Sequence, residues 1–294
     1  MLSEELKQQI KQIHIYTSYL VNEAMAGEYA SAFKGRGMEF EEVRDYRPGD
    51  DIRTIDWKVT ARTGAPYVKQ HREERELTIF LMVDMSASGR FGSGNKLKTE
   101  VMAELAAVMA YLASRNNDRV GMMLFTTEVE RFVPPKKGRA HIWRLIQEIL
   151  TFQPKHQGTD LGGALEYAGH LLRKKTVLFL ISDFLDTRYE HALSLASKRH
   201  DITALHVSDP RESELPNVGL LELEDAETGE VMLVDTADAR VRAYFQAQAN
   251  TQRQRTQAIL RRLAVDEVPI DTTHSFVLPL MRYLRQRERR RARS

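Results

Sequence analysis

Asp84, Ser86 and Ser88 set one carboxylate and two hydroxyls at alternate positions, at the end of the apolar run 77–85. Side chains so spaced just beyond a buried strand can turn toward one point. A carboxylate with two neutral hydroxyls suits a hard cation such as Mg²⁺ or Mn²⁺, which takes about six oxygen ligands. Two later pieces match this triplet: Gly158-Thr159-Asp160 ahead of a helical pattern, and Ser182-Asp183 closing a second apolar strand. The expected ligand set for one divalent ion is therefore Asp84, Ser86, Ser88, Thr159 and Asp183, with no catalytic residue among them.

Each residue also has an ordinary structural use. Ser86 and Ser88 suit a helix cap, Thr159-Asp160 suits a helix N-terminus, and Asp183 suits a strand-end turn. Their joint occurrence in one order favours the metal site over three separate caps. Hydroxyl ligands leave most of a cation's charge unneutralised, so a bound ion would keep a strong field for a further anionic oxygen. A Glu or Asp from a protein partner is the expected source.

The elements that must position these residues are readable from periodicity. From Leu77 onward strands and helices alternate: strand 77–84, helix 97–115, strands 120–125 and 129–133, helices 140–152 and 161–173, strand 176–182, helix 188–199 and strand 202–207. Such alternation predicts βαβ units in a mostly parallel, Rossmann-like α/β sheet with helices on both faces. Ligands of such sheets bind beyond the carboxyl ends of the strands, where Asp84 and Asp183 stand. Residues 3–26 carry helical apolar spacing. Residues 35–62 form a charged, Gly- and Pro-punctuated stretch, and a short strand is expected over 67–71. Past Pro216 the pattern predicts a hairpin (220–223 with 231–234), a helix over 238–263, a strand at 268–270 and a last helix from Ser275. We accordingly expect three regions: 1–76, 77–215 and 216–294.

Composition removes several functions. The chain of 294 residues has no cysteine, so disulfides, zinc–thiolate sites and cysteine nucleophiles are excluded. The start of the chain is charged, and no apolar run approaches the roughly 20 residues of a membrane span, so a soluble cytoplasmic protein without a membrane segment is expected. The net charge of +2 conceals seven arginines within 282–294. Such a tail is expected to be a solvated helix end, with nucleic-acid binding as the alternative. In the block Arg44–Trp57, Asp50, Asp51 and Asp56 alternate with Arg47 and Arg53. Internal ion pairs are expected there rather than a second ion, and Trp57 is expected to pack. His71 and His274 have no partner at metal-ligand spacing.

The set Asp84-x-Ser86-x-Ser88, Thr159 and Asp183 resembles the metal-ion-dependent adhesion site of von Willebrand factor A domains, over about 77–208. Gly37-Met38-Glu39-Phe40, Arg44-Asp45-Tyr46-x-Pro48-Gly49-Asp50-Asp51, Arg53-x-Ile55-Asp56-Trp57 and Thr60-Ala61-Arg62 resemble the signature of the bacterial domain of unknown function 58 family. The resemblance implies a von Willebrand factor A-like fold and a metal used for binding rather than turnover. Ser86 and Ser88 would coordinate directly, Asp84 and Asp183 directly or through water, and Thr159 when a ligand is engaged. It also implies partnership with a MoxR-type AAA+ ATPase in assembling or maturing other proteins. The chain has no Walker-A motif, so ATP hydrolysis would be the partner's. A Mg²⁺-dependent phosphatase or nuclease built on Asp84 is the competing enzyme class. A dehalogenase-type phosphotransfer site wants an acid two positions on, where Ser86 stands.

Overall fold

The computed structural model describes residues 23–33, 37–74, 77–94, 96–226 and 229–293. Most of the helical pattern expected over 3–26 lies outside them. Residues 33–77 form one unit and the other described residues a second.

The second unit is built on a six-stranded sheet of β3 (Thr78–Asp84), β4 (Arg119–Phe125), β5 (Val129–Lys136), β6 (Val177–Ser182), β7 (Asp201–Ser208) and β10 (Asp266–Asp271). Their order is β10-β7-β6-β3-β4-β5. Only β5 runs antiparallel to its neighbour. The expected mostly parallel α/β sheet is therefore present, and β10 completes its far edge.

The central strands are apolar because both faces are covered. Phe80 and Met82 of β3 join a core with Leu161, Leu165, Leu193 and Ile259 from helices. The alternate residues Ile79, Leu81 and Val83 are fully buried as well. A strand buried on both faces reads as a continuous apolar run instead of an alternating one. Prolines mark the rims: Pro134 and Pro135 fall in β5 and Pro269 in β10. A strand without a donor N–H is tolerated at an edge, where it also discourages further pairing.

The helices of this unit are α1 (Glu23–Ala32), α3 (Lys98–Arg115), α4 (Arg139–Leu150), α5 (Leu161–Leu171), α6 (Glu190–Arg199), α7 (Ala239–Arg262) and α8 (Val277–Arg293). Helix α3 buries Val101, Leu105, Val108 and Leu112 at three- and four-residue steps. Only Thr256, Ile259 and Leu260 of α7 are buried, so its C-terminal end is what docks on the core. The expected hairpin is present as β8 (Leu220–Glu224) against β9 (Val231–Asp235).

The arginine-rich end of α8 is not the solvated end that was expected. Arg287 pairs with Asp201 and Asp266, Arg290 reaches Asp266 at 2.7 Å and Arg285 reaches Glu28 at 2.5 Å. Arg291 donates to the carbonyl of Ala32 at 2.8 Å. Four of the tail's arginines thus clamp α8 to α1 and to the starts of β7 and β10.

In the unit 33–77, β1 (Gly37–Asp45) pairs antiparallel with β2 (Tyr67–Glu74), and α2 (Trp57–Thr63) lies between them in sequence. Asp51 caps a short 3₁₀ turn, Asp56 caps α2, and Gly64 ends α2 at φ +77°. Arg44 holds Asp50 through paired bonds of 2.8 Å. Of the ion pairs expected in this block one is found among the described residues, Arg44 with Asp50, while Asp51 and Asp56 serve as caps. Trp57 corrects the expectation, since it is 67% exposed instead of packed.

Candidate functional site

The strand order reverses between β3 and β6, because β3 continues to β4 on one side and β6 continues to β7 on the other. Chains leaving the carboxyl ends of β3 and β6 therefore part there and leave a crevice, the usual ligand position in open α/β sheets. Asp84 is the last residue of β3, and Asp183 follows the last residue of β6.

Four of the five expected residues form one buried, connected set. The Ser86 amide donates to Asp84 Oδ1 at 3.0 Å, and the Ser182 hydroxyl donates to Asp84 Oδ2 at 2.7 Å. The Ser86 and Ser88 hydroxyls are 3.0 Å apart, and Ser88 donates to Asp183 Oδ2 at 2.8 Å. Asp84, Ser86, Ser88 and Asp183 are all buried. Thr159 is half-buried in the loop before α5, and among the described residues no hydrogen bond joins it to the other four.

That loop is nonetheless fixed against the site. The Ala87 amide donates to the Gln157 carbonyl at 2.7 Å, and the Asp160 amide donates to the Thr126 carbonyl at 2.9 Å. Asp160 caps α5 through the Gly163 amide at 2.9 Å. Asp186, beyond β6, accepts from the Leu161 amide at 3.0 Å. Three loops, after β3, before α5 and after β6, are thereby tied pairwise into a ring.

Strain accompanies this ring. Phe184, next to Asp183, has φ +56°, a left-handed conformation that a bulky residue adopts at a cost of roughly 1–3 kcal/mol. It is held there by burial, by edge-on contacts with Tyr189 and His206, and by its amide's bond to Ser182 Oγ at 3.0 Å.

Sequence reading missed Lys98 and Glu212. Lys98, in the first turn of α3, has no exposed surface, and its Nζ bonds Asp183 Oδ2 at 2.6 Å and Glu212 as well. A cation at a helix N-terminus opposes the helix dipole, and that mismatch was its one available signal. Burial works against the charged amine, but Asp183 and Glu212 outweigh it and hold its pKa above the ordinary value. Glu212, on the turn after β7, is pushed up by its burial, against the pull of Lys98. Asp84 has no such partner: no salt bridge reaches it among the described residues. Burial, and then the charge of Asp183, raise its pKa to about 7, against hydrogen bonds from Ser86 and Ser182.

The donor set fits a hard cation. It is made of oxygen alone, and Asp84 is the buried carboxylate that lacks a counter-charge. Among the described residues no cluster of three or more His, Cys, Asp or Glu is placed to hold a metal. An ion here would depend on the hydroxyls.

A family model described as "Protein of unknown function DUF58" matches residues 42–255. The "Uncharacterized protein Rv1480" of Mycobacterium tuberculosis is 33% identical over 266 residues, 90% of this chain and 84% of that protein. Among solved structures, the conserved hypothetical protein BatB from Bacteroides thetaiotaomicron aligns with a TM-score of 0.47 and 16% identity, covering 74% of this chain and all of that one. The VWA domain of SpRpn10 aligns with a TM-score of 0.40 and 8% identity, covering 71% and 95%. No helix among the described residues is long and apolar enough to cross a membrane.

Proposed function

The chain belongs to the DUF58 family of proteins of unknown function, and on that premise we propose that it is a divalent-metal-dependent protein-interaction module. The observation that carries this reading is the buried convergence of Asp84, Ser86, Ser88 and Asp183 at the sheet's switch point. Ser86 and Ser88 would hold Mg²⁺ or Mn²⁺ with Asp84. Asp183 orients the Ser88 hydroxyl by accepting a hydrogen bond from it, and is itself held by Lys98. Thr159, on a loop fixed to the site at Gln157 and Asp160, stands ready to join when a partner is engaged.

When bound, the ion would offer an electrophilic position for one outside carboxylate. Neutral hydroxyl ligands leave it that capacity, and a Glu or Asp of a protein partner would fill it. The reading assigns binding and no turnover. A MoxR-type AAA+ ATPase is the proposed partner in assembly or maturation of other proteins. This rests on the family resemblance and on the lack of a Walker-A motif in this chain.

Thermal unfolding after EDTA treatment, with Mg²⁺ and then Mn²⁺ added back, tests the site. An ion that binds only the folded state stabilises by about 2.7 kcal/mol at a hundredfold excess over Kd. We expect a saturable upward shift in the wild type and none in Ser86→Ala/Ser88→Ala. No shift in the wild type would overturn the reading. Co-sedimentation with the purified ATPase, lost in EDTA and in Thr159→Val, tests the partner.

A further inference from the structure

Ser88 faces more than the metal position: it also lines a groove of about 1110 Å³. Glu212, which bonds Lys98, lines the same groove, so the candidate site opens directly onto it. The other walls come from the hairpin β8–β9 and the first turns of α7. Large apolar side chains dominate them: Phe91, Leu185, Leu221, Met232, Tyr244 and Phe245. Phe91, Leu185, Met232 and Tyr244 are all exposed, the last two by 65% and 68%. A contiguous apolar surface left open to water is the mark of a binding site more often than of packing.

Charge narrows what can lie there. Residues 217–235 contain six acids (Glu222, Glu224, Asp225, Glu227, Glu230 and Asp235) and no Lys or Arg. Glu212, Glu224, Asp225 and Glu230 line the groove themselves, against the single cation Arg211 among the described residues, so its lining stays net acidic. An anionic lipid surface, a nucleic acid and a second copy of the same hairpin would each be repelled. A segment with cationic residues beside its apolar ones would be drawn in, and the complementarity would set its orientation and on-rate.

We propose that the groove receives a short segment of a protein partner bearing one carboxylate, a run of large apolar side chains and a Lys/Arg cluster. The apolar residues occupy the wall formed by Phe91, Leu185, Met232 and Tyr244, and the cationic cluster meets the hairpin's acids. The carboxylate goes to the position beside Ser88, a detail that rests on the metal reading above. The apolar and cationic parts stand without it.

The test is fluorescence anisotropy with a fluorescein-labelled synthetic peptide holding one Glu, alternating Leu and Phe, and a Lys-Arg-Lys end. Three sister peptides replace the Glu by Gln, the Leu/Phe by Ser, or the basic end by Glu. The protein variants are Met232→Glu and Tyr244→Glu, whose exposed positions leave the core untouched; unchanged thermal unfolding and an unchanged Mg²⁺ response verify this. The parent peptide is expected to bind the wild type in Mg²⁺. Each variant and the Ser peptide should lose about tenfold or more in affinity, the range of a buried anchor in an interface. The Glu-ended peptide should lose affinity most at low salt.

The two readings fail separately. Binding abolished by EDTA and by the Gln peptide but unaffected by Met232→Glu would overturn the groove and leave the metal reading standing. Binding lost in Met232→Glu but indifferent to EDTA and to the Gln peptide would support the groove and sink the metal reading. A wild type that fails to bind the parent peptide at millimolar concentration overturns the proposal.

Discussion

Two regions of this chain are dense in charge, and they behave in opposite ways. At the mouth of the six-stranded sheet Asp84, Asp183, Lys98 and Glu212 are drawn together from four separate elements, and the first three are almost wholly buried. In the unit 33–77 Arg44, Asp50, Asp51 and Asp56 are neighbours in sequence and partly or fully exposed. There each acid meets a local partner: a guanidinium, a 3₁₀ turn or a helix start. At the sheet mouth Asp84 meets, among the described residues, only amide and hydroxyl donors. Local satisfaction marks a structural device, whereas a buried charge held by long-range contacts, with one acid left uncompensated, marks a site. Density of charge does not separate the two; burial and sequence distance do.

The largest expected effect that sharpens this contrast is at Lys98. Replacing it by Met removes one partner of a buried pair and leaves Asp183 and Glu212 without their cation. Breaking a buried pair in this way costs about 3–5 kcal/mol. Urea unfolding of Lys98→Met should register a loss of that size. A loss below about 1 kcal/mol would place this pair in the class of surface bridges and erase the contrast.

Next is Asp84→Asn, where sign matters more than size. The wild-type carboxylate is buried without a counter-charge, so a neutral isostere relieves a cost when no metal is present. In EDTA the variant should unfold at the same temperature as the wild type or higher. In saturating Mg²⁺ the order should reverse, since only the wild type gains from binding. A variant less stable than wild type by an equal amount in both conditions would make Asp84 a purely structural acid.

At the clamp on α8, Arg287→Leu should destabilise by an intermediate amount, about 1–3 kcal/mol, because it strands Asp201 in a partly buried setting while Asp266 keeps Arg290. Chemical denaturation reads this directly. A neutral result would return the arginine-rich end to the solvated role that its sequence suggested.

What was legible beforehand follows the same division. The alternation of apolar strands with helical spacing carries the sheet, and residue order alone placed Asp84 and Asp183 at strand ends. β1 was not legible as a strand, because a bulge between Phe40 and Glu42 breaks the two-residue alternation on which that reading depends. Glu212 gave no signal and Lys98 only its unfavourable place at a helix start, because their meaning comes from contacts across 85 and 114 residues. The turn at Phe184 gave no signal either, since an aromatic residue is the last to suggest a left-handed backbone. The arginine tail misled for a related reason: its partners, Glu28, Asp201 and Asp266, are distant in sequence.

The smallest expected effect belongs to Asp50, and it tests the exposed side of the comparison. The hydrogen bonds from Arg44, and then from the Arg47 amide, lower its pKa to about 2. A depressed carboxylate stabilises the fold above its unfolded pKa, and that contribution disappears as pH falls toward 2. Solvent screens the pair, so the shift should appear in the titration of Asp50 and scarcely at all in the unfolding midpoint. NMR titration of the Asp50 carboxyl should give a midpoint near 2 in the wild type. Arg44→Ala should move it toward the ordinary aspartate value of about 3.9, with the thermal midpoint at pH 7 almost unchanged. If Arg44→Ala instead cost as much stability as Lys98→Met, local pairing in the unit 33–77 would matter as much as burial at the sheet mouth, and the criterion that separates the two regions would fail.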